Sequence, residues 1–293
     1  MSLLHPAGRS SEEAGPYFVP AFSYYPALLA GGIFLLMLGF IESINGFDKG
    51  HWVMLFGAAV VLGVLVGWLG SVIAESRQGD YGLLEDGSFR WGMIWFIASE
   101  VAFFATFFGA LFYLRIIAVP ELGHMQAEHG ATLWPGYAGG WPTSGPRGPN
   151  FTPMEAWGIP AINTALLLSS GATITWAHWG LLKERRWQLI AGLAATVLLG
   201  VTFLLLQGWE YRHAYQELGL TLGAGAYGAT FFMLTGFHGL HVTLGSIMLA
   251  VILARSIHGD FSPRDHFAFE GVAWYWHFVD VVWLMLFVFV YWL

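Results

Sequence analysis

Hydrophobic and polar positions in this chain alternate in whole segments rather than residue by residue. Seven apolar stretches run approximately from Tyr25 to Ile44, Trp52 to Ile73, Trp91 to Ala118, Trp157 to Leu182, Trp187 to Gln207, Tyr227 to Leu253 and Phe267 to Leu293. Each is near or above the ~20 residues that a helix needs to cross a bilayer. Trp and Tyr mark their ends, where amphipathic rings settle at headgroup level. The pattern predicts an all-α integral membrane protein with seven transmembrane helices.

Most intervals between these stretches are short, which predicts antiparallel neighbours in a bundle. Two are not short. The polar, glycine-containing segment from Glu75 to Arg90 separates the first two helices from the other five. It predicts an N-terminal segment over 1–22, helices one and two over 23–76, a linker over 77–90 and a five-helix bundle over 91–293. The connection over 119–155 is rich in Pro and Gly, among them Pro135, Gly136, Pro142 and Pro146, and a loop of that length is usually functional or an interaction surface. No internal repeat of helix pairs is evident, which weakens a transporter built on inverted repeats.

Composition agrees: 56% of residues are hydrophobic and 11% charged, against roughly a quarter charged in soluble domains. Arg9, Arg77, Arg90, Lys183, Arg185, Arg186, Arg255 and Arg264 fall on one side of the predicted membrane, and Lys49, Arg115, Arg147 and Arg212 on the other. That bias places the N-terminus inside and, with an odd number of spans, the C-terminus outside. No cleaved signal peptide is evident. The absence of cysteine excludes disulfides, iron–sulfur clusters and thiolate-ligated copper within the chain.

Glu100 changes the picture most, because it interrupts the apolar run from Trp91 to Leu114 near its middle. An ionised acid at the centre of a membrane helix costs roughly 3 kcal/mol on insertion scales, with Asp as the proxy. Glu100 is therefore expected to be protonated at neutral pH unless a partner or water holds its charge. Such a residue marks a functional site by default; the plainer reading is a protonated acid bonded across a helix interface.

Four histidines, His178, His238, His241 and His277, also lie within predicted helices, and His238 and His241 share a helix face. No second closely spaced pair and no repeated Glu-x-x-His motif accompanies them. The pattern favours hydrogen bonding between helices over a metal site. Counting about 1.5 Å per residue from Arg90, Arg255 and Arg264 puts Glu100 roughly 15 Å into the membrane, His241 roughly 21 Å, His277 roughly 20 Å and Asp280 roughly 24 Å. Glu100 is thus expected to bond a histidine of the sixth or seventh helix, His241 first. His277 and Asp280 are expected to form a second polar cluster, with His266 and Glu270 as ordinary interfacial residues.

Some local patterns carry less. Gly223, Gly225 and Gly228 spell GxGxxG, but no strand precedes them, so they read as a loop entering helix six rather than a dinucleotide site. Asn150, Phe151 and Thr152 form a glycosylation sequon with meaning only in a secretory pathway. Gly63 and Gly67 offer a possible close helix contact.

Several segments resemble subunit III of the haem-copper oxidases: RWGMIWFIASEVAFFATFFGALFY from Arg90, INTALLLSSGATITWAH from Ile162, YGATFFMLTGFHGLHVTLGS from Tyr227 and HFAFEGVAWYWHFVDVVWLMLFVFVYW from His266. Val72, Ile73, Glu75 and Ser76 echo the family's V-I-x-E-S. The resemblance covers helices three to seven densely and reaches helix two. Seven helices rather than five point to the cytochrome c oxidase branch.

The resemblance implies a V-shaped, two-plus-five arrangement with phospholipids in the cleft, and no haem, copper or other metal in this chain. Haem and copper belong to partner subunits I and II, and cytochrome c is met indirectly through subunit II; no nucleic acid is involved. Glu100 matches the family's carbodiimide-reactive carboxyl, and Trp68, Glu75 and Arg255 match its lipid-headgroup positions. Arg255 has a physical reason, since a guanidinium can pair with a phosphate through two hydrogen bonds; the alternative is a snorkelling anchor. Ala74 stands where relatives can carry Arg. The family's third subunit is thought to sustain proton uptake into subunit I and to protect the active centre during turnover. The 119–155 connection, longer than in mitochondrial forms, suggests a bacterial cytoplasmic membrane.

The expected function is therefore that of a non-redox core subunit of a proton-pumping cytochrome c oxidase. Rival readings are the third subunit of a quinol-oxidising or nitric-oxide-reducing relative, an independent proton or solute transporter using Glu100, and a membrane metalloenzyme.

Overall fold

The computed structural model describes residues 17–20, 22–129, 134 and 137–293; Arg9, Pro135 and Gly136 lie outside them. The described residues contain helices and no strand. In chain order these are α1 (Tyr25–Ile44), α2 (Gly50–Gln78), α3 (Leu83–Phe112), α4 (Val119–His129), α5 (Ile159–Leu182), α6 (Arg186–Gln216), α7 (Gly225–His258) and α8 (Phe267–Leu286). A π-helical turn, Tyr113–Ala118, joins α3 to α4, and another, Phe287–Trp292, continues α8.

Among the described residues, six segments are long and apolar enough to cross a membrane: Tyr25–Ile44, Gly50–Gln78, Leu83–His124, Arg186–Gln216, Gly225–His258 and Phe267–Trp292. The seventh expected span, α5, has 24 residues and is not among these six. It carries Thr164, Ser169, Thr173 and Thr175, whose hydroxyls donate to carbonyls three or four residues earlier in the same helix. Those bonds satisfy the hydroxyls within the helix, so that none depends on water.

Helix ends differ from the apolar pattern. α2 runs on to Gln78, where Gly79 adopts the left-handed cap (φ 80°). α3 starts at Leu83, eight residues before the apolar run, because Glu85 accepts from the Gly82 amide (2.8 Å) and the Phe18 amide (2.5 Å). A carboxylate in the first turn also complements the helix dipole. The 119–155 connection opens with α4 instead of irregular chain.

The chain divides into two compact units between Phe89 and Arg90. In the first, α1 and α2 touch through glycines. A Cβ on Gly39 would sit 2.2 Å from the Met54 amide nitrogen, and one on Gly57 would sit 2.4 Å from that of Leu36. The contact is not made by Gly63, which has nothing within 4 Å. Backbones can approach this closely only where no side chain intervenes.

In the second unit the core lies among α5, α6, α7 and α8. Trp276 is fully buried, and its ring lies 2.7 Å from a Cβ on Gly200 and 2.9 Å from one on Gly245. Its indole Nε1 donates to Ser170 Oγ at 2.8 Å. Trp283, also fully buried, donates to Thr164 Oγ1 at 2.9 Å and takes the Phe203 ring edge-on. The GxGxxG glycines form a packing corner: Gly225 has φ 76° and leaves no room for a Cβ beside the Ser144 carbonyl, while the Tyr227 amide donates to Thr143 O at 3.0 Å.

Candidate functional site

Glu100 on α3 and His241 on α7 stand with Oε2 and Nε2 2.8 Å apart, their side chains 21% and 10% exposed. Phe103 and Phe104, on the turn after Glu100, pack against the imidazole, and Tyr275 stacks along it. The Tyr275 hydroxyl donates to the His241 carbonyl at 3.3 Å. The other ring nitrogen, Nδ1, lies 2.6 Å from the Phe237 carbonyl oxygen. A carbonyl can only accept, so Nδ1 carries a hydrogen. In a neutral ring Nε2 must then accept, and the hydrogen in the Glu100 bond must come from the carboxylic acid. The ionic form, carboxylate with imidazolium, has the same total charge. The pair therefore holds one proton that either residue can carry.

The other candidates do not join this pair. His238 Nε2 bonds the Val279 carbonyl at 3.3 Å, and its ring packs against Phe203 and Trp283. His277 faces α5: its Nδ1 is 3.7 Å from Asp280 Oδ2, and its Nε2 is 3.4 Å from Thr175 Oγ1. Asp280 in turn lies against Gly171, where a Cβ would be 2.8 Å from Oδ2.

At the headgroup positions, Trp68 stacks on Tyr25 (centroids 6.0 Å, 11°), and Glu75 accepts from the Tyr81 hydroxyl at 2.5 Å. Burial, then that bond to a carboxylate, pushes the Tyr81 phenol well above its ordinary range. Arg255 is not an extended anchor. It is buried, its Nε donates to Asp260 Oδ2 at 3.1 Å, and its guanidinium lies over the Phe261 ring at 4.7 Å.

Two polar groupings were not drawn from the sequence. His178, His266 and Glu270 bring one ligand atom each to within 4.8 Å of one another, a donor set able to ligate a divalent cation. Glu270 there pairs with Arg90 at 2.6 Å, and His266 Nδ1 bonds the Ser262 carbonyl at 3.1 Å. The sequence reading names these residues without grouping them; His266 caps α8 and Glu270 lies in its first turn, and that four-residue spacing was the available signal. The second group is Glu210, 1% exposed, which accepts from Tyr291 at 2.7 Å and from Gln207 at 3.4 Å. It lies on a part of α6 beyond the predicted end at Gln207, so the apolar pattern gave it no depth.

Fold and site together define a polytopic, all-helical membrane protein with a protonatable acid–imidazole pair inside a helix bundle. A family model described as cytochrome c oxidase subunit III matches residues 15–293. Proteins named cytochrome c oxidase subunit 3 are similar over most of their length. That of Latimeria chalumnae is 44% identical over 240 residues (82% of this chain, 83% of the relative). That of Paracentrotus lividus is 40% identical over 279 residues (94% and 97%), and that of Pongo abelii 45% over 226 (77% and 77%). The chain belongs to the cytochrome c oxidase subunit III family. It is a membrane-embedded part of the oxidase complex and a component of the respiratory chain.

These relatives are animal proteins, which points to the mitochondrial inner membrane and overturns the bacterial membrane inferred from the 119–155 connection. Length there was a poor guide, because lengthening a surface loop costs little free energy.

Proposed function

We propose that this chain is a non-redox core subunit that sustains proton uptake by the catalytic subunit and stabilises its active centre. Its immediate partners are oxidase subunits I and II, with cytochrome c reached through subunit II, and haem and copper held by those partners. The N-terminus lies on the inner side, and seven membrane crossings, α5 among them, carry the C-terminus to the outer side. Phospholipid headgroups are held at Trp68 and Glu75 in the first unit and at Arg255 in the second. The observation that carries this reading is the 2.8 Å contact between Glu100 Oε2 and His241 Nε2, in a pair still partly accessible from outside the bundle. The likeness to subunit III proteins supports the remainder.

The test is the reconstituted oxidase with and without Glu100→Gln, followed through many turnovers. Slower proton uptake and earlier inactivation, with haem content unchanged, support the proposal. Unaltered uptake and lifetime in a complex that retains the variant subunit contradict it.

A further inference from the structure

A cavity of about 290 Å³ opens where the turn between α5 and α6 meets the turn between α7 and α8. Leu181 and Leu189, each 4% exposed, give it an apolar floor, with Phe261 beside them. Four polar side chains also line it: Glu184, Arg186, Ser256 and Ser262, the last already accepting from the Asp265 amide at 3.1 Å.

Arg186 and Ser256 are placed by the local fold. The Arg186 guanidinium donates to the Ile257 carbonyl, and its terminal nitrogens lie 3.8 and 3.9 Å from the position of a Cβ on Gly259. Arg186 is also the first residue of α6, whose first turn holds no acidic residue and no capping side chain. The positive end of that helix dipole is therefore uncompensated. Ser256 is 2% exposed, and its buried hydroxyl has no hydrogen-bond partner among the described residues. A buried hydroxyl at a cavity wall calls for a ligand, since buried polar groups are rarely left unbonded.

The charges select the ligand. A simple anion would suit Arg186, Ser256 and the helix end but would meet the Glu184 carboxylate. A simple cation would suit Glu184 but would meet the guanidinium. A molecule with a phosphate and a primary ammonium satisfies both, whereas a trimethylated ammonium has no hydrogen to give the carboxylate. We propose that this cavity binds a phosphoethanolamine group, its phosphate toward Arg186, Ser256 and the start of α6, and its ammonium toward Glu184. The same chemistry is offered by the headgroup of a membrane phospholipid and by the soluble phosphomonoester. The site lies wholly within the second unit and does not use the Glu100–His241 pair.

The experiment uses the intact oxidase in nanodiscs containing equal amounts of phosphatidylethanolamine, phosphatidylcholine and phosphatidylglycerol, each with an isotopically distinct headgroup. Lipids retained after mild extraction are counted by native mass spectrometry. Arg186→Gln and the milder Ser256→Ala are expected each to lose one retained phosphatidylethanolamine per complex and no other lipid. Glu184→Gln is expected to let phosphatidylcholine compete for that place. Displacement of the lipid by added soluble phosphoethanolamine identifies the free molecule as a competent occupant; retention against it identifies the lipid as the source. An unchanged phosphatidylethanolamine count in both Arg186→Gln and Ser256→Ala, with the complex intact by haem content, overturns the proposal.

Discussion

Glu100 and His241 are joined Oε2 to Nε2 at 2.8 Å, while the far side of the imidazole is committed to the Phe237 carbonyl at 2.6 Å. Glu100→Gln keeps a donor toward Nε2, so assembly of the complex should survive. Infrared difference spectra should lose the carboxylic-acid carbonyl band of this residue if the acid carries the proton. His241→Ala removes the partner outright and should destabilise the subunit by about 1 kcal/mol, the lower end of the cost of stranding a polar group, because Glu100 is still 21% exposed. Loss of the whole subunit on Glu100→Gln would contradict this reading of the bond.

The contacts of Trp276 predict strong sensitivity at two glycines. Side chains at 200 or 245 would press into the indole at 2.7 and 2.9 Å. Gly245→Val should cost about 1–3 kcal/mol through overpacking. The check is the thermal midpoint at which this subunit leaves the detergent-solubilised complex, which should fall.

Glycines in the first unit should split into two groups. Gly39→Leu or Gly57→Leu would place Cβ atoms against backbone at 2.2 and 2.4 Å and should separate α1 from α2, read as new protease cleavage in the 45–49 turn. Gly63→Ala meets nothing within 4 Å and should be neutral or stabilising by up to about 1 kcal/mol, the helix-propensity difference. Equal sensitivity at Gly57 and Gly63 would refute this packing.

Tyr291→Phe removes the 2.7 Å donor to Glu210 and leaves that buried acid with only the longer Gln207 contact. A loss of about 1–3 kcal/mol is expected, measured by thermal unfolding. The double variant Tyr291→Phe with Glu210→Gln should recover part of it, since an amide tolerates the site better than an acid stripped of its partner.

Helix positions were legible because membrane spans are written as long apolar runs. Their ends were not, because Glu85 sets the start of α3 through bonds to Gly82 and Phe18, which no hydrophobic pattern records. For the site, depth along a helix could be counted from sequence, but direction around it could not. His277 lies at a depth similar to that of His241, yet it turns toward Thr175 on α5, while His241 turns toward Glu100. Arg255 illustrates a second limit: its partner Asp260 lies five residues on, past the helix end, where only the Gly259 turn (φ 89°) brings it back.

The neutrality of the acid–imidazole pair bears on how it senses the membrane's electric field. A unit charge crossing the whole hydrocarbon core, about 30 Å thick, exchanges ~2.3 kcal/mol per 100 mV with that field. Transfer within the pair moves a proton by less than the 2.8 Å between its heavy atoms. The coupling is therefore at most ~0.2 kcal/mol per 100 mV, a third of thermal energy. Voltage can govern whether a proton arrives at or leaves this place, but it has almost no say in which of the two residues carries it.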